Sequence, residues 1–369
     1  MKTALDDLAA HGQSPWVDGI GLADLRDGGL ADLAEQGIRG LTTNPTLFRE
    51  ALNADEESRH RLAELLREKG DPKQAYLALA EADARHALAI MDEFVPDHGP
   101  RDGWMSLEVD PRSAYDVRAT VEEAYRLHRA VDHPRFFVKI PGTVQGLVAI
   151  EEATALGVRV NVTLLFSVYR HRQAAEAYLR GLRRLRDNGG DLAGMASVAS
   201  FFVSRVDTAG DEALRAVGGD PALAGRLAVA NAKVAYWTYK EVFCGTEWDE
   251  LAAAGAAPQW CLWASTSTKD PAYHDTKYVE SLIGPDTVTT MPRKTIEAFL
   301  DHGRVAATLD EGVDEADLVI DGFRAAGVDY DALTGHLEQA GIRDFCASFS
   351  EMLTEMTALR DEGLTRGDS

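Results

Sequence analysis

A lysine stands in the middle of an apolar run, Phe136-Phe137-Val138-Lys139-Ile140-Pro141. Side chains alternate between the two faces of a strand. Phe136, Val138 and Ile140 therefore share one face, and Lys139 takes the other. A face packed under helices accepts a charge only at high cost, so Lys139 is expected inside the sheet's enclosure, near its C-terminal mouth. Burial there favours the neutral amine. Other apolar runs carry polar groups at the same end. Asn161 and Thr163 alternate with Val162 and Leu164. Glu108 stands between Leu107 and Val109. Asp18, Thr42, Asn44, Ser200 and Ser265 close four more runs. A single Asn or Thr at a strand end is usually a turn or cap residue, and a single acid is usually solvated. Their coincidence on seven runs carries the signal.

A buried neutral amine, two carboxylates and several neutral hydrogen-bonders suit Schiff-base catalysis. The amine attacks a ketone or aldehyde and loses water to give an iminium, an electron sink that lets a neighbouring C–C or C–H bond break. One acid/base serves dehydration of the carbinolamine. Another exchanges a proton with the hydroxyl at the bond being cleaved. Glu108 and Asp18 are the acids placed for these tasks. The chemistry needs no cofactor and no metal, and HExxH, EF-hand and P-loop spacings are absent.

Eight β-rich runs must position these groups: Trp16–Ile20, Ile38–Asn44, Trp104–Asp110, Arg135–Pro141, Arg159–Leu165, Ser197–Val203, Trp260–Ser265 and Thr287–Met291. Helical patterns lie between them. Ala80, Ala84, Leu88 and Met91 form one stripe in the stretch before Pro96. Val121, Ala124, Tyr125 and His128 form another, and Pro221–Phe243 reads as a third helix. Pro221 suits a first helical turn, and Gly157 and Gly245 suit helix ends. The alternation predicts an α/β fold, a closed (β/α)8 TIM barrel of parallel strands. An open doubly wound sheet is the rival, but Gly19-Ile20-Gly21 lacks the third glycine of its usual turn. From about Asp310 the chain reads as two or three further helices. No Pro/Gly/Ser-rich linker precedes them, so residues 310–369 are expected to pack on the barrel within a single domain spanning 1–369.

The length of 369 residues suits one large domain with additions. A 45% hydrophobic and 27% charged composition is that of a globular protein. The 38 Lys+Arg against 60 Asp+Glu give a net charge of −22, which disfavours nucleic acid and anionic membranes as partners. An anionic ligand would need local cations. No apolar run is long enough to span a bilayer, and the acidic start Met1-Lys2-Thr3-Ala4-Leu5-Asp6-Asp7 does not read as a signal peptide. Cys244, Cys261 and Cys346 are widely spaced, without a CxxC pair, which argues against a disulfide framework or a zinc site. A cytoplasmic protein, monomeric or homodimeric, is expected.

Several blocks resemble the transaldolase family, particularly its longer bacterial members. They are Thr42-Thr43-Asn44-Pro45-Thr46, Ser106-Leu107-Glu108-Val109-Asp110-Pro111-Arg112, Val138-Lys139-Ile140-Pro141-Gly142-Thr143, Asn161-Val162-Thr163-Leu164-Leu165-Phe166-Ser167, Ser200-Phe201-Phe202-Val203-Ser204-Arg205 and Trp263-Ala264-Ser265-Thr266. The resemblance implies transfer of a dihydroxyacetone unit from sedoheptulose 7-phosphate or fructose 6-phosphate to an aldose phosphate, in the non-oxidative pentose phosphate pathway. It implies that Lys139 forms the Schiff base and that Asp18 is the acid/base for C–C cleavage. Glu108 and Thr163 match the pair that positions a water for proton transfer. Asn44, Asn161 and Ser200 match substrate contacts, and Arg205 a phosphate-binding arginine.

Two departures bear on this reading. Shorter members carry an arginine where Ser267 stands here, so Lys269 is expected to take the phosphate contact, with Ser265. Asp18 lacks the further acid that some relatives show nearby. Related free aldolases carry tyrosine at the place of Phe202 and glutamine at that of Glu108, so the transferase is favoured over a free aldolase or a specialised sugar transferase on the same scaffold. A catalytically silent sugar-phosphate-binding protein is the remaining alternative, and the intact Lys, Glu, Asp and Thr set speaks against it.

Overall fold

The protein is described from a computed structural model that covers residues 2–19, 21–54, 56–95 and 99–367. Eight parallel strands close into one barrel in chain order. They are β1 Gln13–Asp18, β2 Gly40–Thr42, β3 Trp104–Glu108, β4 Phe136–Pro141, β5 Val160–Leu165, β6 Ser197–Phe202, β7 Gln259–Ala264 and β8 Thr287–Met291. Every expected run overlaps one strand. β1 begins earlier, at Gln13, and β2 is shorter than the Ile38–Asn44 run. Ile20 and Pro96 lie outside the described residues. Parallel neighbours require a crossover, and helices supply one between each pair.

The barrel interior is layered. Trp16, Trp104 and Phe137 stack beneath the level of Lys139, with centroids of Trp104 and Phe137 4.1 Å apart and those of Trp16 and Phe137 6.4 Å apart. This aromatic layer fills the barrel, as large side chains do in this architecture. It needs a residue without a side chain opposite: a Cβ on Gly40 would lie 2.6 Å from the Trp16 ring. Gly146, in the first turn of the helix Val144–Ala155 that follows β4, is equally constrained, since a Cβ there would come within 1.9 Å of the Pro141 carbonyl oxygen.

Three local expectations need correction. The strand alternation fails at the end of β5, where the β5–β6 register shifts between Val162 and Leu165 and Leu164 adopts φ 59°. Leu164 turns toward the C-terminal helix, and a Cβ on Gly341 would sit 2.9 Å from its Cδ2. The helix Val117–Val131 buries Thr120, Ala124, Leu127 and Val131, while Tyr125 is exposed. The buried stripe is therefore one phase away from Val121, Tyr125 and His128, which lie toward the solvent-facing side of the helix. The Pro221–Phe243 stretch is not one helix. It is a 3-10 turn, Pro221–Leu223, followed by a helix Leu227–Val242. Gly225 at φ 69° separates them. The helix Pro72–Phe94 does bury Ala80, Ala84, Leu88 and Met91.

Beyond β8 lie the helices Arg293–His302, Val313–Ala325 and Tyr330–Gly367. The long last helix crosses the C-terminal mouth. Thr46 donates to Ser348 over 2.9 Å, and Arg49 pairs with Glu351 and Glu355. Phe349 packs edge-on against Tyr76, centroids 5.3 Å apart.

Candidate active site

Lys139 sits on β4, flanked in register by Glu108 of β3 and Asn161 of β5. It is only 4% exposed. Its Nζ donates to the Thr43 carbonyl at 3.1 Å and lies 3.7 Å from Glu108 Oε2. The second distance is charge proximity, beyond hydrogen bonding. Burial pushes the Glu108 carboxyl up to about 7, against the pull of Lys139, and the nearby Asp18 adds to the rise. Neither Glu108 oxygen has a hydrogen-bond partner among the described residues, nor do the hydroxyls of Thr163 and Thr42. Buried polar atoms are normally partnered. A group of unpartnered ones around an amine is suited to a substrate and the water its reaction releases.

Asn161 is held rigidly. Its amide nitrogen donates to Ser106 Oγ at 3.0 Å, and its oxygen accepts from Ser200 Oγ at 2.7 Å. Ser200 thus orients Asn161 as well as lining the cleft. Asn44 caps the helix Pro45–Ala54 by accepting from the Leu47 N–H at 3.0 Å, which leaves its amide hydrogens free to donate. Asp18, at the end of β1, has its carboxyl raised by burial, opposed by the charges of Lys139 and Lys269.

Asp18, Asn44, Lys139, Ser200, Phe202, Arg205, Ser265 and Lys269 line one cleft of about 300 Å3 at the barrel mouth. Glu108, Asn161 and Thr163 are buried beside it. All the residues expected from sequence thus gather at one end of the barrel. Three of the lining residues are basic, Lys139, Arg205 and Lys269, on a chain of net charge −22. Arg205, in the first turn of the helix Ser204–Ala216, lies 5.7 Å from the Phe202 ring centre and 3.6 Å from Asp344. Lys269 Nζ donates to Ser267 Oγ at 2.9 Å. Ser265 turns the chain out of β7 at φ 56°, and its hydroxyl lies 3.0 Å from that of Ser204.

The same helix anchors the segment that carries Lys269. Tyr273 donates to Asp211 at 2.6 Å, and Tyr278 and Lys277 both reach Asp207 at 2.9 Å. Asp207 and Asp211 are buried. Two rim cations are therefore mounted on one hydrogen-bonded network.

Sequence reading missed several cleft residues. Thr290 of β8 was legible, because it is a hydroxyl residue near the C-terminal end of the run Thr287-Val288-Thr289-Thr290-Met291. Thr46 and Leu47 lie two and three residues after Asn44. Phe345, from the last helix, and Asp344 beside it carried no local signal, since only the packing of that helix brings them to the mouth.

Comparison with known proteins agrees in one direction. A family model described as Transaldolase/Fructose-6-phosphate aldolase matches residues 15–356. A transaldolase of Thiobacillus denitrificans is 44% identical over 353 residues, 95% of this chain and 98% of that protein. One from Acidothermus cellulolyticus is 43% identical over 97% of each chain. One from Renibacterium salmoninarum is 41% identical over 100% of this chain and 99% of its own.

Proposed function

The chain belongs to the Transaldolase/Fructose-6-phosphate aldolase family, and from that premise we propose that it is a transaldolase working through a Schiff base on Lys139. The observation that carries this reading is the buried Lys139 amine, 3.7 Å from Glu108, on the wall of a cleft that Asp18 also lines. The unprotonated amine adds to C2 of a ketose phosphate. The carbinolamine loses its hydroxyl as water, and Glu108, a carboxyl whose proton affinity is near neutrality, passes the proton with a water that Thr163 helps to hold. Asp18 then takes the proton of the C4 hydroxyl, the C3–C4 bond breaks, and the aldose phosphate leaves. The enamine left on Lys139 adds to the aldehyde of the acceptor, Asp18 returns the proton, and water releases the product.

Asn44 and Asn161 are the donors for the dihydroxyacetone hydroxyls, with Ser200 keeping Asn161 in place. Arg205 and Lys269 receive the phosphate. A guanidinium binds it as a fork and an ammonium as a point charge. Sedoheptulose 7-phosphate and fructose 6-phosphate are the donors of choice, glyceraldehyde 3-phosphate and erythrose 4-phosphate the acceptors, as in the non-oxidative pentose phosphate pathway. Among the described residues no helix is long and apolar enough to cross a membrane. Free Cys244, Cys261 and Cys346 fit a reducing compartment.

Transfer is favoured over free aldol cleavage because Phe202 offers the cleft no hydroxyl. Its ring packs against Phe166, centroids 5.1 Å apart. Without a proton donor there, the enamine persists until an acceptor arrives. The test is exchange between fructose 6-phosphate and erythrose 4-phosphate. Formation of sedoheptulose 7-phosphate and glyceraldehyde 3-phosphate, without accumulation of free dihydroxyacetone, is expected. Steady release of dihydroxyacetone would instead mark a free aldolase.

A further inference from the structure

The segment that leaves β7 passes Lys269 and ends on the barrel's outer flank at His274 and Asp275. His302, the last residue of the helix Arg293–His302, faces them. One donor atom from each of these three residues lies within 4.8 Å of the other two. His302 Nε2 is 2.9 Å from Asp275 Oδ1, and the two imidazole planes are perpendicular with centroids 5.4 Å apart. Ligands held at ~2.0–2.2 Å from one ion at tetrahedral or octahedral angles are themselves ~2.9–3.5 Å apart. The spacing of Nε2 and Oδ1 falls in that range.

The outer groups fix the orientation of both rings. His302 Nδ1 lies 3.0 Å from Asp301 Oδ2. An ionised carboxylate only accepts, so with no ion bound both ring nitrogens of His302 carry hydrogen, Nδ1 toward Asp301 and Nε2 toward Asp275; an ion held between Nε2 and Asp275 takes the place of the Nε2 hydrogen while Nδ1–H stays on Asp301. Thr276 donates its hydroxyl hydrogen to Glu280 Oε1 at 2.7 Å, so at 2.7 Å from His274 Nδ1 it must accept. The neutral ring then keeps its lone pair on Nε2, while Nδ1 lies 3.6 Å from Asp275 Oδ1. Histidine held through its second nitrogen by a carboxylate or hydroxyl is the usual support of a metal ligand. Among the described residues Asp275 and Asp301 have ion-pair partners only in histidines, never in lysine or arginine. Even with His302 charged, its two aspartates leave the cluster net negative.

We propose that His274, Asp275 and His302 bind a divalent transition-metal ion of the zinc, nickel or cobalt class. Imidazole selects these ions over magnesium and calcium. All three ligands are exposed, so water completes the coordination. The bound ion clips the segment bearing Lys269 to the helix that follows β8.

The test is calorimetric titration of the full chain with Zn2+ alone in a non-chelating buffer, with Cys244→Ser in every protein so that no exposed thiol competes. One equivalent is expected, unaffected by excess Mg2+. His302→Ala and His274→Ala should each weaken binding by tenfold or more. Asp301→Asn should weaken it by about tenfold to a hundredfold through the ring it orients. Asp270→Asn, an acid of the same segment outside the cluster, should leave it unchanged. Co2+ should give a visible absorption band that His302→Ala abolishes. Binding no tighter than millimolar, or an affinity indifferent to both His274→Ala and His302→Ala, overturns the proposal and leaves the cluster as an ion pair between His302 and its two aspartates.

Discussion

Glu108 and Lys139 stand side by side in register on β3 and β4, 3.7 Å apart and both buried. Burial makes an ion pair costly. The folded protein holds the Glu108 proton more tightly than the unfolded chain does, with the carboxyl moved from 4.5 to about 7. Its contribution to stability is complete below about pH 4.5 and is lost as pH rises through 7. Glu108→Gln removes that titration. The melting temperature of Glu108→Gln relative to the parent protein should therefore rise between pH 5 and pH 8. The ceiling is roughly 3 kcal/mol, because each pKa unit is worth about 1.4 kcal/mol and Lys139 shares the site. A difference that is flat or falls with pH contradicts the assigned direction.

Asp18 acts after the covalent bond has formed. Asp18→Asn should lower kcat by about 10²–10⁴, the usual worth of a positioned acid/base, while KM changes little. The variant should still form a borohydride-reducible adduct with fructose 6-phosphate, yet release no burst of glyceraldehyde 3-phosphate. Loss of the adduct itself would move Asp18 to an earlier step.

The rim cations Arg205 and Lys269 serve the phosphate. Arg205→Ala and Lys269→Ala should each raise KM for fructose 6-phosphate by about tenfold to a hundredfold, since a hydrogen bond to a charged group is worth about 1.5–3 kcal/mol. Neither should alter the slow reaction of unphosphorylated fructose. Tyr273→Phe frees the Lys269 segment from Asp211 and should shift KM in the same sense with kcat preserved. Equal losses with both sugars would instead place these residues in the chemistry.

Much of this site was legible before any coordinates. Lys139 announced itself because a lysine inside Phe-Phe-Val-Lys-Ile-Pro has only the barrel interior to enter. Asn161 and Thr163 followed from period-two alternation, and Glu108 from the same rule one strand away. The rule failed at Leu164. It takes positive φ, which a non-glycine side chain does not advertise and which tertiary packing imposes. Tyr125 misled because one helical phase differs little from the next in composition, while burial depends on where the neighbours lie. Phe345 and Asp344 were beyond reach. They meet the cleft only because the last helix folds back across the mouth, a contact made over some 200 residues from Lys139. Local pattern thus reports strands and their inward groups, and long-range packing decides the rim.

The central claim is that one amine, Lys139, becomes covalently joined to the keto sugar. Peptide mass spectrometry of the full chain, reduced with borohydride in the presence of fructose 6-phosphate, tests it directly. The reduced dihydroxyacetone adduct should map to Lys139, require the sugar, and be absent from Lys139→Ala. An adduct on another lysine, or an unmodified Lys139 peptide in a sample undergoing sugar exchange, contradicts it.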